Sequence, residues 1–176
     1  EPDMTARLAV SLAALIALTA PTLAQVDCPL ERAIYTERQN GYELRFLPAE
    51  SWELYGMMKA IYELRFPDGE TVLWGYMTSN MGTSRDEGFL FAPECRRPGP
   101  EDPGSNEDER AACQVWNNVV YELKDGEVDF MPLYDEPAVP TLLMTDLGRV
   151  VRYSLYVLGP GDEPWDVFTF KECAPQ

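Results

Sequence analysis

The sequence contains no histidine among its 176 residues. Without imidazole, a serine or cysteine nucleophile has no histidine base to activate it, and a metal site lacks its commonest nitrogen ligand. The three lysines, Lys59, Lys124 and Lys171, show no spacing typical of a serine–lysine pair. The sequence therefore predicts no catalytic residue, no metal ligand and no cofactor.

Positive charge is scarce: 14 basic residues face 30 acidic ones, for a net charge of -16. This balance argues against nucleic acid or an anionic membrane surface as partner. The same charge attracts basic proteins over a distance, and salt weakens that attraction. We expect a non-catalytic binding or interaction module with a basic protein as partner. The alternative is that the acidity only keeps the protein in solution.

Long hydrophobic runs are missing as well. The apolar stretch Leu8–Ala20 is shorter than the ~20 residues that cross a bilayer. It follows Arg7 and precedes Pro21 and the small-residue motif at 22–24, which together are typical of a secretory signal peptide. We expect a signal peptide, with upstream residues, over 1–24, and a single secreted or periplasmic β-rich domain over 25–176. We expect no stable membrane anchor after cleavage.

Cysteine is limited to four residues, and none forms a C-x-x-C motif, which argues against a zinc or thioredoxin-type site. An even number of cysteines in an exported protein predicts two disulfides. Four cysteines allow three pairings. The favoured one joins Cys95 to Cys113 around a polar loop, and Cys28 to Cys173 across the two ends of the domain.

Alternation of apolar and polar residues dominates the rest of the chain. The motif Tyr-Glu-Leu-Arg-Phe occurs at 42–46 and again at 62–66, with the aromatic residues and leucine on one face. Asp-Gly pairs at 68–69 and 125–126 predict tight hairpin turns. Further strands are predicted at 71–78, 119–123, 128–131, 141–145, 150–158 and 166–171. The fold class is mainly β: about eight antiparallel strands in one sheet, as a sandwich or a partly open barrel.

One helix is predicted near 107–117. Asn106 and Glu109 resemble a capping box, and apolar residues follow at helical spacing at Ala112, Val115, Trp116 and Val119. We expect this helix to pack against one side of the sheet.

Two polar stretches between strands are candidates for ligand binding, Asn80–Gly88 and Gly159–Asp166. Loops carried by a rigid sheet often hold binding residues, although the same residues also suit ordinary turns. The candidate residues are Asn80, Thr83, Ser84, Arg85, Asp86, Asp162, Glu163 and Trp165. The alternative function is a histidine-free, glycosidase-like hydrolase with paired carboxylates from Asp86, Glu87, Asp162, Glu163 or Asp166.

Two weaker patterns remain open. The acidic loop Glu101–Glu109 could bind calcium, but it lacks EF-hand spacing, and an excess of solvated carboxylates explains it better. Four tryptophans could form a sugar-stacking platform or belong to the core. They are Trp52, Trp74, Trp116 and Trp165.

Overall fold

The computed structural model describes residues 26–54, 56–80, 85–95, 97–100, 111–155 and 158–175. The expected signal peptide lies outside these residues. Within the described ranges no helix is both long and apolar enough to cross a membrane. A short 3₁₀ turn, Leu30–Arg32, precedes the strands, and an α-helix, α1, spans Leu147–Leu155. The strands in the described chain are Ala33–Glu37 (β1), Glu43–Leu47 (β2), Met58–Arg65 (β3), Val72–Ser79 (β4), Asp86–Phe91 (β5), Gln114–Lys124 (β6), Glu127–Asp129 (β7), Thr141–Met144 (β8) and Val167–Cys173 (β9).

Eight of these strands close into an antiparallel barrel in the order β5-β4-β3-β2-β1-β9-β8-β6, with β5 and β6 pairing to complete the circle. The short strand β7 folds back on β6 as an extra hairpin. Neighbours in sequence are neighbours in the barrel, which makes it an up-and-down barrel. The prediction of a mainly β, antiparallel fold is confirmed, and the sheet closes on itself.

The two copies of the Tyr-Glu-Leu-Arg-Phe motif lie side by side. The first falls mainly on β2 and the second on β3, where Glu43 pairs with Arg65 and Arg45 with Glu63. Alternation sends Leu44 and the other apolar residues inward and the charged ones outward. The repeated motif therefore contributes buried side chains to the core and charged side chains to the outer surface of the barrel.

Side chains fill the barrel interior. An eight-stranded barrel is just wide enough for its inward side chains to pack against each other. Every barrel strand contributes one fully buried residue or more, including Tyr35, Phe46, Tyr62, Met77, Leu90, Trp116, Met144 and Phe168. Leu147 and Val151 of α1 join the same core, as do Met131, Ala138 and Val139 from the connection between β7 and β8. Helix and connection thus cover the core beyond the ends of the strands.

Both predicted disulfides are present. Cys28 is bonded to Cys173 and Cys95 to Cys113. The first bridge reinforces the seam between β1 and β9, where Ala33 pairs with Cys173. The second closes the connection between β5 and β6. Two disulfides are typical of an oxidising extracellular or periplasmic environment.

The helix predicted near 107–117 is wrong for its second half. Residues 111–113 are helical, but 114–117 belong to β6, and 107–110 lie outside the described residues. A shift of register between Leu90 and Phe91 lets Val115 and Trp116 both be buried, although they are adjacent on one strand. This irregularity breaks strict alternation and imitates helical spacing in the sequence.

The strand predicted at 150–158 is also wrong, because α1 occupies most of it. The carboxylate of Asp166, 20 residues after Asp146, caps the start of this helix. It accepts hydrogen bonds from the backbone N–H groups of Asp146 (2.7 Å) and Gly148 (3.4 Å). Leu147 and Val151, one turn apart, are fully buried. The cap and the burial both come from distant parts of the chain, and they favour helix over the β propensity of the valines.

Candidate binding site

The two polar stretches predicted to bind a ligand do not share a pocket. Asn80 follows β4 and Arg85 precedes β5, whereas Asp162, Glu163 and Trp165 lie between α1 and β9. Successive connections of an up-and-down barrel alternate between its two ends, so these two stretches leave at opposite ends. Thr83 and Ser84 lie outside the described residues.

Asp86 is a buried ion-pair partner rather than an exposed loop residue. It is the first residue of β5, and its Oδ2 accepts hydrogen bonds from Lys59 Nζ (2.9 Å) and from the backbone N–H of Met131 (2.8 Å). Lys59 also donates to the carbonyl of Met131 (2.6 Å) and lies 5.6 Å from the ring centre of Phe130. The pair fastens the connection after β7 to the barrel.

The other residues of the first stretch are held at the surface. Asn80 donates from its amide to Glu87 Oε1 at 2.7 Å, which ties the end of β4 to the start of β5. Arg85 is exposed. The strand β5 begins at Asp86, so Asp86–Gly88 form part of the barrel wall rather than of the predicted connection.

The second stretch borders a depression of about 340 Å³ at the other end of the barrel. Asn40 donates from its amide to the carbonyls of Gly161 (2.9 Å) and Glu163 (2.7 Å), and the Tyr42 hydroxyl donates to the carbonyl of Asp162 (2.7 Å). These bonds fasten the stretch to the turn between β1 and β2. The depression is lined by Asn40, Tyr42, Phe66, Pro67, Asp68, Leu158 and Asp162.

A buried carboxylate shapes the turn below this depression. Glu37 is 3% exposed, and its carboxylate accepts hydrogen bonds from the backbone N–H groups of Gln39, Asn40 and Tyr42. Three donors satisfy the buried charge and set the position of Asn40 and Tyr42.

Negative charge concentrates around Tyr42. Burial and the nearby carboxylates of Asp162, Glu37, Asp68 and Glu163, in that order, raise the pKa of Tyr42 to about 12. Hydrogen bonds from the backbone and side chain of Thr71 and the backbone of Glu70 lower the pKa of Asp68. The pKa of Glu163 is also lowered, and the largest cause is a hydrogen bond between its carboxylate and its own backbone. These two carboxylates are therefore ionised at neutral pH, and none of the seven lining residues is basic.

The carboxylates proposed for the alternative hydrolase have separate structural contacts. Asp86 pairs with Lys59, Glu87 accepts from Asn80, and Asp166 caps α1. Asp162 and Glu163 lie at the far end of the barrel from Asp86. In the described part of the chain, no group of three or more histidine, cysteine or acidic residues could hold a metal ion. The loop Glu101–Glu109, which the sequence suggests as a calcium site, lies outside the described residues.

The four tryptophans do not share one face. Trp116 is in the core, where its Nε1 donates to the carbonyl of Thr145 (3.1 Å). Trp74 stacks on Phe91 on the outside of the barrel, at 4.4 Å between ring centres. Trp165 is 53% exposed beside the second stretch. A platform made of all four is therefore not formed.

Sequence reasoning missed Tyr42, Asn40 and Asp68 as neighbours of Asp162. Tyr42 reads as an ordinary core residue of its strand, and Asp68 as part of an Asp-Gly turn. The only available signal was that both turns should lie at the same end of an up-and-down barrel as the stretch before β9.

Comparison with protein families, with curated proteins and with solved structures finds no match for this chain.

Proposed function

We propose that the protein is a non-catalytic binding module whose partner is a basic protein. The observation that supports this proposal is the depression lined by Asp68 and Asp162 around Tyr42, where negative charge accumulates and none of the described lining residues is basic. A lysine or arginine side chain of the partner fits such a site, since its apolar stem can pack on Phe66 and Leu158 while its charge meets the carboxylates.

Export of the protein is part of the same proposal. A signal peptide over 1–24 delivers the chain to the periplasm or the medium, where the two disulfides form. The test is N-terminal sequencing of protein recovered outside the cytoplasm. A chain that starts at Gln25 supports export, and a leader retained on cytoplasmic protein contradicts it.

The partner proposal is tested with lysozyme as a strongly basic probe. Titration calorimetry compares the native protein with Asp68→Asn/Asp162→Asn. In this variant the amide oxygens still accept hydrogen bonds, but two charges are gone from the depression. We expect affinity to fall about tenfold, because two contacts with a cation are lost and each is worth about 0.7 kcal/mol at a surface.

The matched control is Glu94→Gln/Glu172→Gln, which removes the same net charge from exposed positions that do not line the depression. We expect a smaller loss of affinity from it, because neither residue contacts a cation that binds in the depression, and exposed charges are screened by salt. Equal losses in both variants would show that only net charge acts and would remove the depression from the proposal. Absence of lysozyme binding even at low salt would contradict the proposal itself.

A further inference from the structure

The barrel carries an apolar band on its outer surface. On β6, β8 and β9 the residues Val120, Leu142 and Phe168 are fully buried in the core. Alternation along each strand therefore directs their neighbours outward. The apolar residues among these outward positions, with Leu123 further along β6 and Val128 of β7, form a set that we call the apolar wall: Val119, Tyr121, Leu123, Val128, Leu143 and Val167.

The register of the strands makes the apolar wall continuous. Leu123 pairs with Val128, Tyr121 with Leu143, and Leu143 with Val167. Paired residues on adjacent strands lie about 5 Å apart, so their side chains touch. Val128 is 55% exposed and Val167 40% exposed, at the two edges of the wall.

The outward side chains differ around the barrel: β4 and β5 carry the stacked aromatic pair Trp74 and Phe91, whereas β2 and β3 carry charged residues. On β2 and β3 the outward residues Glu43, Arg45, Glu63 and Arg65 are charged, with Arg65 2.7 Å from Glu63. Such a face is adapted to water. An apolar face that extends over four strands is typical of a surface that binds another protein.

Both polar stretches singled out in the sequence border the apolar wall. Glu87, which accepts from Asn80, lies directly opposite Val119 on the neighbouring strand. At the other edge, Trp165 is exposed two residues before Val167. The two stretches leave opposite ends of the barrel, yet each contributes to the border of one outer surface.

The charges around the apolar wall select the partner. Asp125, Glu127 and Asp129 lie at the β6–β7 hairpin, and Glu87 lies at the β5 edge. Lys124, the cation of this hairpin, is directly opposite Glu127. A second copy of the chain would bring its own net charge of -16 against this border, which opposes self-association.

We propose that the apolar wall is the docking face for a basic protein whose apolar stripe is bordered by lysine or arginine. This inference rests on the proposed function and adds to it the surface that contributes apolar contact area. The depression near Tyr42 then binds a cationic side chain, while the wall buries the stripe.

Two synthetic peptides of equal length and charge test the inference. In one, lysine alternates with valine and tyrosine; in the other, lysine alternates with serine. At physiological ionic strength, the native protein is expected to bind the first peptide about tenfold more tightly than the second. The variant Val128→Thr/Trp165→Gln/Val167→Thr is expected to lose that preference and to bind both peptides with similar affinity.

The matched control is Met57→Thr. Met57 is 40% exposed, like Val167, but lies outside the apolar wall. We expect this variant to keep the full preference. The single variant Val128→Thr, at the most exposed position of the wall, keeps the test valid if the triple variant unfolds, because it should lose part of the preference.

The possible results separate the two proposals. If the native protein binds both peptides equally, and the wall variants change nothing, the wall is not a docking face although charge-driven binding remains. If the native protein binds neither peptide, the proposed function fails as well. A native dimer that the wall variants convert to a monomer would overturn the basic partner and identify a second copy as the occupant.

Discussion

The ammonium of Lys59 lies 2.9 Å from the carboxylate of Asp86, in a setting where the aspartate side chain is 1% exposed and the lysine side chain 12%. Both residues also bind the backbone of Met131, which belongs to the connection after β7. The second carboxylate oxygen, Oδ1, is buried without a hydrogen-bond partner in the described structure. This pair therefore joins three parts of the chain, which are β3, β5 and the connection after β7.

Removal of one member of this pair should be severe. Asp86→Ala leaves the Lys59 charge buried without its partner, and we expect a loss of about 3–5 kcal/mol in the free energy of unfolding. The double variant Lys59→Met/Asp86→Leu should recover more than half of that loss, because no buried charge remains. Urea unfolding of the three proteins measures both values. A cost below about 1 kcal/mol for Asp86→Ala would show that the pair is open to water.

The two disulfides should differ in their contribution to stability. Cys28–Cys173 spans 145 residues and Cys95–Cys113 spans 18. Loop-closure entropy then gives about 5 kcal/mol for the first bridge and about 3 kcal/mol for the second. Chemical unfolding of the paired serine variants at Cys28/Cys173 and at Cys95/Cys113 measures the difference. The reverse order of stability would show that strain or residual structure outweighs chain entropy.

The pKa of Tyr42 provides a direct readout of the charge around the depression. Because this pKa is raised to about 12 in the folded protein, the unfolded chain loses the proton first as pH rises. The stability that Tyr42 contributes is thus present below pH ~10 and is lost between pH ~10 and ~12. Tyrosine-selective NMR titration measures the pKa, with Tyr42→Phe to assign the signal.

The variant Asp162→Asn separates the two causes of this shift. Burial remains, while one neighbouring negative charge disappears, so the pKa of Tyr42 should fall. Added salt should lower it in the native protein for the same reason. A Tyr42 pKa that responds to neither change would mean that burial alone sets it.

The cap on α1 should account for the choice between helix and strand over 147–155. Asp166→Ala removes the acceptor for the N–H groups of Asp146 and Gly148, and we expect a cost of about 1–2 kcal/mol. Asp166→Asn retains an acceptor oxygen and should cost less. Thermal unfolding gives the stabilities, and hydrogen exchange at residues 147–151 shows whether the loss is local. Unchanged exchange there would assign the helix to packing of Leu147 and Val151 alone.

The sequence was most informative where structure is local. The Tyr-Glu-Leu-Arg-Phe motifs predicted β2 and β3, since alternation directly reports which face is buried. Asp125 and Gly126 both have positive φ (53° and 84°), as the predicted tight turn requires. Strand β1 was missed, and β5 was expected only after Gly88, although it begins at Asp86. In β1, Ala33, Ile34 and Tyr35 are all buried, so the strand shows no alternation. In β5, the first inward residue is Asp86, which is polar and does not suggest a buried position.

Prediction of the candidate site was partial for a similar reason. Asp162 was identified from a polar stretch, but Tyr42 and Asp68 reach it from two other turns. Lys59 was considered only as the partner of a serine, since nothing in its local sequence points to Asp86, 27 residues away. Such contacts depend on which loops the barrel brings to the same end, and a single sequence does not encode that in any local pattern.

The amino-acid sequence by itself determined the β content, the two tight turns, the acidity and the limited choice of disulfide pairings, because each follows from residue type and nearest neighbours. Tertiary structure decided that β5 pairs with β6 to close the barrel, that 147–155 is a helix, and that the two polar stretches leave opposite ends. It also decided which outward residues form the apolar wall. These features depend on the pairing register of distant strands, and register is set by packing of the whole core.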